Sequence, residues 1–138
     1  MDIARLQPGQ PIGPFVREGT FMHWNRFAGV NDEFAGHHMD DEVGRFEGFP
    51  SAFGMAPLMF SYLQAMLRDW LADAGRIDTL NIRLRSPFLR GRTFNARGEV
   101  RALRQGEGER LVDVEIRVED DQGTLLIQGE ATLALPAG

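Results

Sequence analysis

The apolar residues of this chain change their period once, and that change fixes the class of fold open to it. Between Met55 and Ala72, the residues Leu58, Met59, Tyr62, Leu63, Met66, Leu67, Trp70 and Leu71 recur at three- and four-residue spacing. This spacing gathers them on one broad face of a long helix, which must be buried. Gly54 before the run and Gly75 after it suit helix ends. From Ile77 onward the period becomes two: Leu80, Ile82 and Leu84 alternate with Asn81, Arg83 and Arg85. The stretches 93–103, 110–118 and 124–135 alternate in the same way, with hairpin-like turns at 105–109 and 120–123. One buried helix followed by an antiparallel sheet of at least four strands is an α+β plan. Upstream, Thr20 suits the N-cap of a helix running to Val30, with Phe21, Trp24, Phe27 and Ala28 on one face. Residues 1–19 carry Pro8, Gly9, Pro11, Gly13 and Pro14 and read as an irregular arm with a short strand around Phe15 and Val16.

Composition then removes whole classes of chemistry. A chain of 138 residues without repeat or linker reads as one domain over 1–138, large enough for a real core. It has no cysteine, so a disulfide scaffold, a thiolate nucleophile and a cysteine-bearing zinc site are excluded. All fifteen basic residues are arginine, which excludes a Schiff-base lysine and a P-loop lysine. The net charge of −5 argues against a nucleic-acid partner. With no leader-like apolar stretch and no run of the roughly 20 apolar residues a bilayer needs, the expectation is an unexported, cytoplasmic protein with no membrane partner.

The chemistry concentrates in Asn31–Asp41, where acids precede two of the three histidines. Histidine titrates near neutrality, and a carboxyl beside it suggests acid-base work. Asp32 with His37 and Glu33 with His38 have the same separation, so two dyads are open. The third histidine, His23, stands beside Trp24 and reads as structural. The three histidines lack the spacing that presents two imidazoles on one helical face, so no metal is expected. Asp40, Asp41 and Glu42 read as caps of a short helix, and Ser61 as a hydroxyl bonding its own helix backbone. Arg83, Arg85, Arg90 and Arg92 form the densest basic cluster; they suit phosphate or a solvated strand face.

Taken in order, these pieces resemble the MaoC-like dehydratases and (R)-specific enoyl-CoA hydratases. That family's pattern runs approximately aromatic, Ala, SGDxNPxHxD, a Gly-rich turn, AHGM, and later RFxxPxxxGDT. The matching residues are Phe27 and Ala28, Asn31 to Asp40 without a gap, Gly48-Phe49-Pro50, Ala52-Phe53-Gly54-Met55 and Arg83 to Thr93. The gapless register favours Glu33 with His38 over the other dyad. The resemblance implies a single hotdog domain, an antiparallel sheet wrapped around a long central helix. It also implies reversible hydration of a 2-enoyl thioester, with Glu33 and His38 handling the protons of one water and the Gly54 amide at the helix start meeting the thioester oxygen. Phe53, Met55, Arg83 and Arg85 would bind the substrate. Coenzyme A would enter as part of an acyl-CoA substrate, with no separate cofactor. A homodimer or higher oligomer is implied, as is a heteromer with a second hotdog chain. The chain departs from the pattern at Glu33 for Asp, Ala35 for Asn, Gly36 for Pro and Phe53 for His. Those departures keep two alternatives: an acyl-CoA-binding hotdog subunit without turnover, and a hotdog thioesterase. For the last, the central helix offers only Asp69.

Overall fold

The computed structural model describes residues 5–137. Five strands and three α-helices follow the order β1 (Pro11–Glu18), α1 (Phe21–Asn31), a 3-10 turn (Gly36–His38), α2 (Asp41–Phe46), α3 (Ala56–Leu71), β2 (Arg76–Leu84), β3 (Thr93–Gln105), β4 (Glu109–Glu119) and β5 (Leu125–Pro136). The strands make one antiparallel sheet in the order β1-β3-β4-β5-β2, so β1 and β2 are its edges. Helix α3 reaches both edge strands across the face of the sheet.

Each element forms for a local reason. Thr20 accepts the His23 amide and opens α1, as its position predicts. Helix α3 buries Leu58, Met59, Leu63, Met66, Leu67 and Leu71, the stripe read from the three- and four-residue spacing. It ends at Ala72, in the left-handed region, whose amide returns to Arg68 O. From the sheet side, Phe94, Ala96, Val100, Val112, Val114, Ile116, Ile127 and Leu133 alternate inward to meet it. Trp24 and Ala28 of α1, with Phe88, extend this core toward the start of α3. There Trp24 meets Phe88 edge-on, with ring centroids 5.8 Å apart at 72°.

One expectation needs correction. The short strand read around Phe15 and Val16 is present but longer, and much of the expected irregular arm is ordered, because Pro11–Glu18 is a full edge strand paired to β3. Prolines are tolerated on an edge, where one side of the backbone needs no partner, and the register breaks between Ile12 and Phe15 to accommodate the Gly-Pro step. Residues 1–4 lie outside the described residues. No helix among the described residues is long and apolar enough to cross a membrane.

Candidate active site

The site is built where α1 ends and α3 begins. Asp32 closes α1 in the left-handed region at φ 54°, a conformation Asp tolerates, and its amide returns to Ala28 O. The Glu33 amide reaches the same carbonyl at 3.1 Å. The chain therefore reverses sharply before Glu33. The 3-10 turn follows at once and carries His38 into the interior, where it is 6% exposed.

His38 and Glu33 come together: Nε2 of the histidine lies 3.7 Å from Oε1 of the carboxyl. The other ring nitrogen, Nδ1, is 2.7 Å from Phe53 O. A carbonyl only accepts, so Nδ1 carries the hydrogen and neutral His38 presents an unprotonated Nε2. Burial holds its pKa below the ordinary histidine value; the Phe53 carbonyl opposes that shift, and nearby His37 reinforces it. A base with its lone pair free is the form this environment selects.

Both groups open onto a cleft of about 440 Å³ lined by Glu33, His38, Phe49, Phe53, Gly54, Ala56, Pro57, Met59, Leu84, Arg85, Ser86 and Pro87. Its walls are mostly apolar, and Arg85 is the one cation on them. The Arg85 Nε–H donates to Gln128 at 2.9 Å.

The remaining sequence-derived candidates divide. Asp32 and His37 do not form the alternative dyad; Asp32 serves as the cap of α1, and His37 pairs with Glu47 at 2.9 Å. Gly54 lines the cleft, yet its amide is not free for a substrate oxygen, because it donates to Phe88 O at 2.8 Å. The reason for glycine there is packing. A Cβ would stand 2.9 Å from Phe88 Cδ1 and 3.3 Å from Trp24 Nε1. Met55 is fully buried in the core rather than on the cleft. Arg83 lines a neighbouring groove with Asn81 and Gln128, and Arg85 lines both that groove and the cleft. Ser61 donates to Pro57 O at 2.8 Å, the backbone bond read from the sequence. Among the described residues no group of three or more His, Asp or Glu is arranged to hold a metal ion.

Asp41 does more than cap. While Asp40 takes the Glu42 amide at 2.8 Å, Asp41 accepts the Ala52 amide at 3.0 Å and hydrogen bonds from Nε and Nη2 of the Arg90 guanidinium. The Arg90 amide in turn donates to Ala52 O at 3.0 Å. This ring of bonds pins residues 52–54 between the histidine turn and the loop before β3. No sequence pattern could announce a pair 49 positions apart. The Arg90 hydrogen bonds hold the Asp41 pKa down to about 2. A depressed carboxylate pKa stabilises the fold above its ordinary value of 3.8 and loses that contribution as pH falls toward about 2. In Asp41→Asn, thermal unfolding is therefore expected at a lower temperature than in the parent at neutral pH, and the gap should narrow as pH falls from the ordinary value of 3.8 toward about 2. A gap independent of pH would count against the clamp.

No family model matches the sequence, and no curated protein does. Solved structures match it along its length. An (R)-hydratase from A. caviae involved in PHA biosynthesis superposes with a TM-score of 0.85 and 22% identity, covering 96% of this chain and 98% of that one. A monoamine oxidase regulatory protein from Archaeoglobus fulgius gives 0.86 at 18% identity, over 100% and 95% of the two chains. The ChsH1–ChsH2 complex from Mycobacterium tuberculosis gives 0.81 at 19% identity, over 94% and 98%. At these identities the likeness is one of fold, and it is the hotdog fold anticipated from the sequence.

Proposed function

We propose that this hotdog chain hydrates a 2-enoyl thioester, or dehydrates the 3-hydroxyacyl thioester in reverse. The observation that carries the reading is the 3.7 Å approach of the His38 Nε2 lone pair to Glu33 Oε1 at the wall of an apolar cleft. The gap is too long for a direct hydrogen bond. A water donating to both groups fits it, and such a water is held beside two proton acceptors. In the forward direction the pair takes a proton from this water as its oxygen bonds to C3. Electron density moves through C2 to the thioester oxygen, and a proton held by the pair is then returned to C2.

The enolate-like oxygen needs donors. Since the Gly54 amide is committed, we assign this role to the start of α3, where Ala56 borders the cleft. First-turn amides have no acceptor within their helix and sit at its positive end. Pro57 at the next position has no amide hydrogen to contribute. Arg85, with Arg83 in the adjoining groove, would meet the phosphates of a coenzyme A or carrier-protein handle.

The cleft borders the end of edge strand β2, where Leu84 is half exposed. Pairing of two chains along that edge would extend the sheet and cover the cleft mouth. The ChsH1–ChsH2 neighbour is a two-chain complex, which leaves a non-identical partner as a second form of the same proposal. Hydrolysis is the weaker reading, since Asp69 lies exposed on α3 and does not line the cleft.

One assay separates these readings. The purified chain is incubated with crotonyl-CoA and a longer enoyl-CoA while the conjugated thioester absorbance and free thiol are followed. Loss of absorbance without thiol is the expected result. Thiol release would replace hydration with hydrolysis, and binding without either change would identify a subunit that holds acyl-CoA without turnover.

A further inference from the structure

His37 does not line the cleft, but it is attached to the residue that sets the state of His38. Its ring lies flat on Phe53, with centroids 4.9 Å apart and planes within 6°. Phe49 packs on Phe53 as well, at 4.4 Å. His38 stands edge-on to both neighbours, 4.2 Å from the His37 ring and 5.3 Å from Phe53. The main chain repeats the connection: the Phe53 amide donates to His37 O at 3.1 Å, and His38 Nδ1–H donates to Phe53 O at 2.7 Å. Phe53 is thus held by its ring, its amide and its carbonyl, all by two adjacent histidines. His37 is itself fixed, because Nδ1–H donates to Glu47 at 2.9 Å. Glu47 is the C-cap of α2, and its amide returns to Arg45 and Val43 carbonyls.

We propose that His37, anchored by Glu47, is a positioning residue that clamps Phe53 so that its carbonyl keeps the hydrogen of His38 on Nδ1 and leaves Nε2 bare toward Glu33. The inference rests on the reading of His38 as the proton carrier. Its structural half stands apart from that reading. The flat stack resists rotation of the Phe53 ring, and the reciprocal backbone bonds carry that resistance to the carbonyl. The Gly54 amide, in the same peptide plane, stays bonded to Phe88 O at 2.8 Å, so without the His37 ring the Phe53 carbonyl keeps one restraint and loses the other, and the His38 tautomer with hydrogen on Nε2 gains population. That tautomer cannot accept a proton at the atom facing Glu33. An imidazole suits position 37 because one group supplies both the flat face for Phe53 and the donor for Glu47.

The test reads the tautomer directly. Ring nitrogen chemical shifts of His38 are recorded by NMR on nitrogen-15-labelled protein, without substrate, for the parent, His37→Ala, His37→Leu and His37→Phe. Steady-state rates on an enoyl-CoA are measured alongside. The parent should show one tautomer with hydrogen on Nδ1. His37→Ala should show a mixture and a kcat lower by roughly tenfold at little-changed KM, within the range that misplacement of a reacting group costs. His37→Phe, which restores a flat ring, should recover the single tautomer and most of kcat. His37→Leu, which has bulk without a flat face, should behave as the alanine variant and stands in for it should that variant not fold. A single Nδ1–H tautomer in His37→Ala or His37→Leu overturns the proposal. Should the tautomer respond while no enoyl thioester is hydrated by the parent, the clamp stands and the activity reading fails.

Discussion

His38→Ala is expected to lower kcat on an enoyl thioester by about 10²–10⁴-fold, the range general acid-base catalysis supplies. Alanine removes the only nitrogen that faces Glu33 with its lone pair free, and the ring fills buried space that no neighbour can replace chemically. Glu33→Gln keeps the shape of the side chain while removing its carboxyl, so it should lose activity on a similar scale. With both groups acting on one water, as proposed, the double variant should lose far less than the product of the single losses. The pH profile provides an independent sign. Burial disfavours the imidazolium of His38, so the free base persists below the ordinary histidine value of 6.5, and the acid limb of kcat/KM should fall below that value. The same shift makes the unfolded chain the better proton acceptor. Stability should therefore decline as pH drops below about 6.5. Full activity in His38→Ala, or an acid limb at or above 6.5, would remove His38 from the proton-carrying role.

The parts of this architecture that the sequence displays are those governed by local periodicity. The α3 stripe from Leu58 to Leu71 and the alternation after Ile77 need no knowledge of partners, since a helix and a half-buried strand each impose their own spacing. Strand β1 is legible only as a short stretch around Phe15 and Val16, because its prolines and glycines are the residues that usually break strands. Only its placement at the sheet edge, a tertiary fact, makes them acceptable. Arg83 and Arg85 look equivalent in the alternation but part company in space. Strand β2 ends at Leu84, so the period-two rule stops there, and Arg85 lines the cleft as well as the groove it shares with Arg83, which lines the groove alone.

The same division runs through the site. Glu33 and His38 are close in sequence and joined by one turn, so their pairing could be anticipated from spacing and motif register. The commitment of the Gly54 amide could not, because the acceptor arrives from Phe88, 34 residues later. Asp41 and Arg90 were visible only as a cap and a member of a basic cluster. Their real partner is each other, and what they hold is the backbone at Ala52, one residue before the carbonyl that orients His38.

Helix α2 has six residues, yet both of its ends are tied to this site, through Asp41 at the start and Glu47 at the finish. Its middle residue, Gly44, touches the segment directly. A Cβ there would lie 2.3 Å from Ser51 O and 2.8 Å from the Ala52 nitrogen. Helix propensity alone favours alanine over glycine by about 1 kcal/mol. The contact is with backbone, however, which no rotamer change can relieve, and overpacking of this kind costs typically about 1–3 kcal/mol or more. Gly44→Ala should thus be destabilised, with Tm lower by roughly 5–10 °C for a net loss near 2 kcal/mol in a domain of this size. It should also lose activity beyond what its folded fraction explains, since displacing α2 moves Asp41 and Ala52 together and with them the Phe53 carbonyl. Gly29 in α1 supplies the control, because a Cβ there meets nothing within 4 Å. Gly29→Ala should gain up to about 1 kcal/mol and keep full activity. Thermal melts and single-turnover rates on the two variants compare one chemical change in two surroundings. Equal stability in both would mean that α2 is not seated against residues 51–52, and the bracket that holds His38 would have to be sought elsewhere.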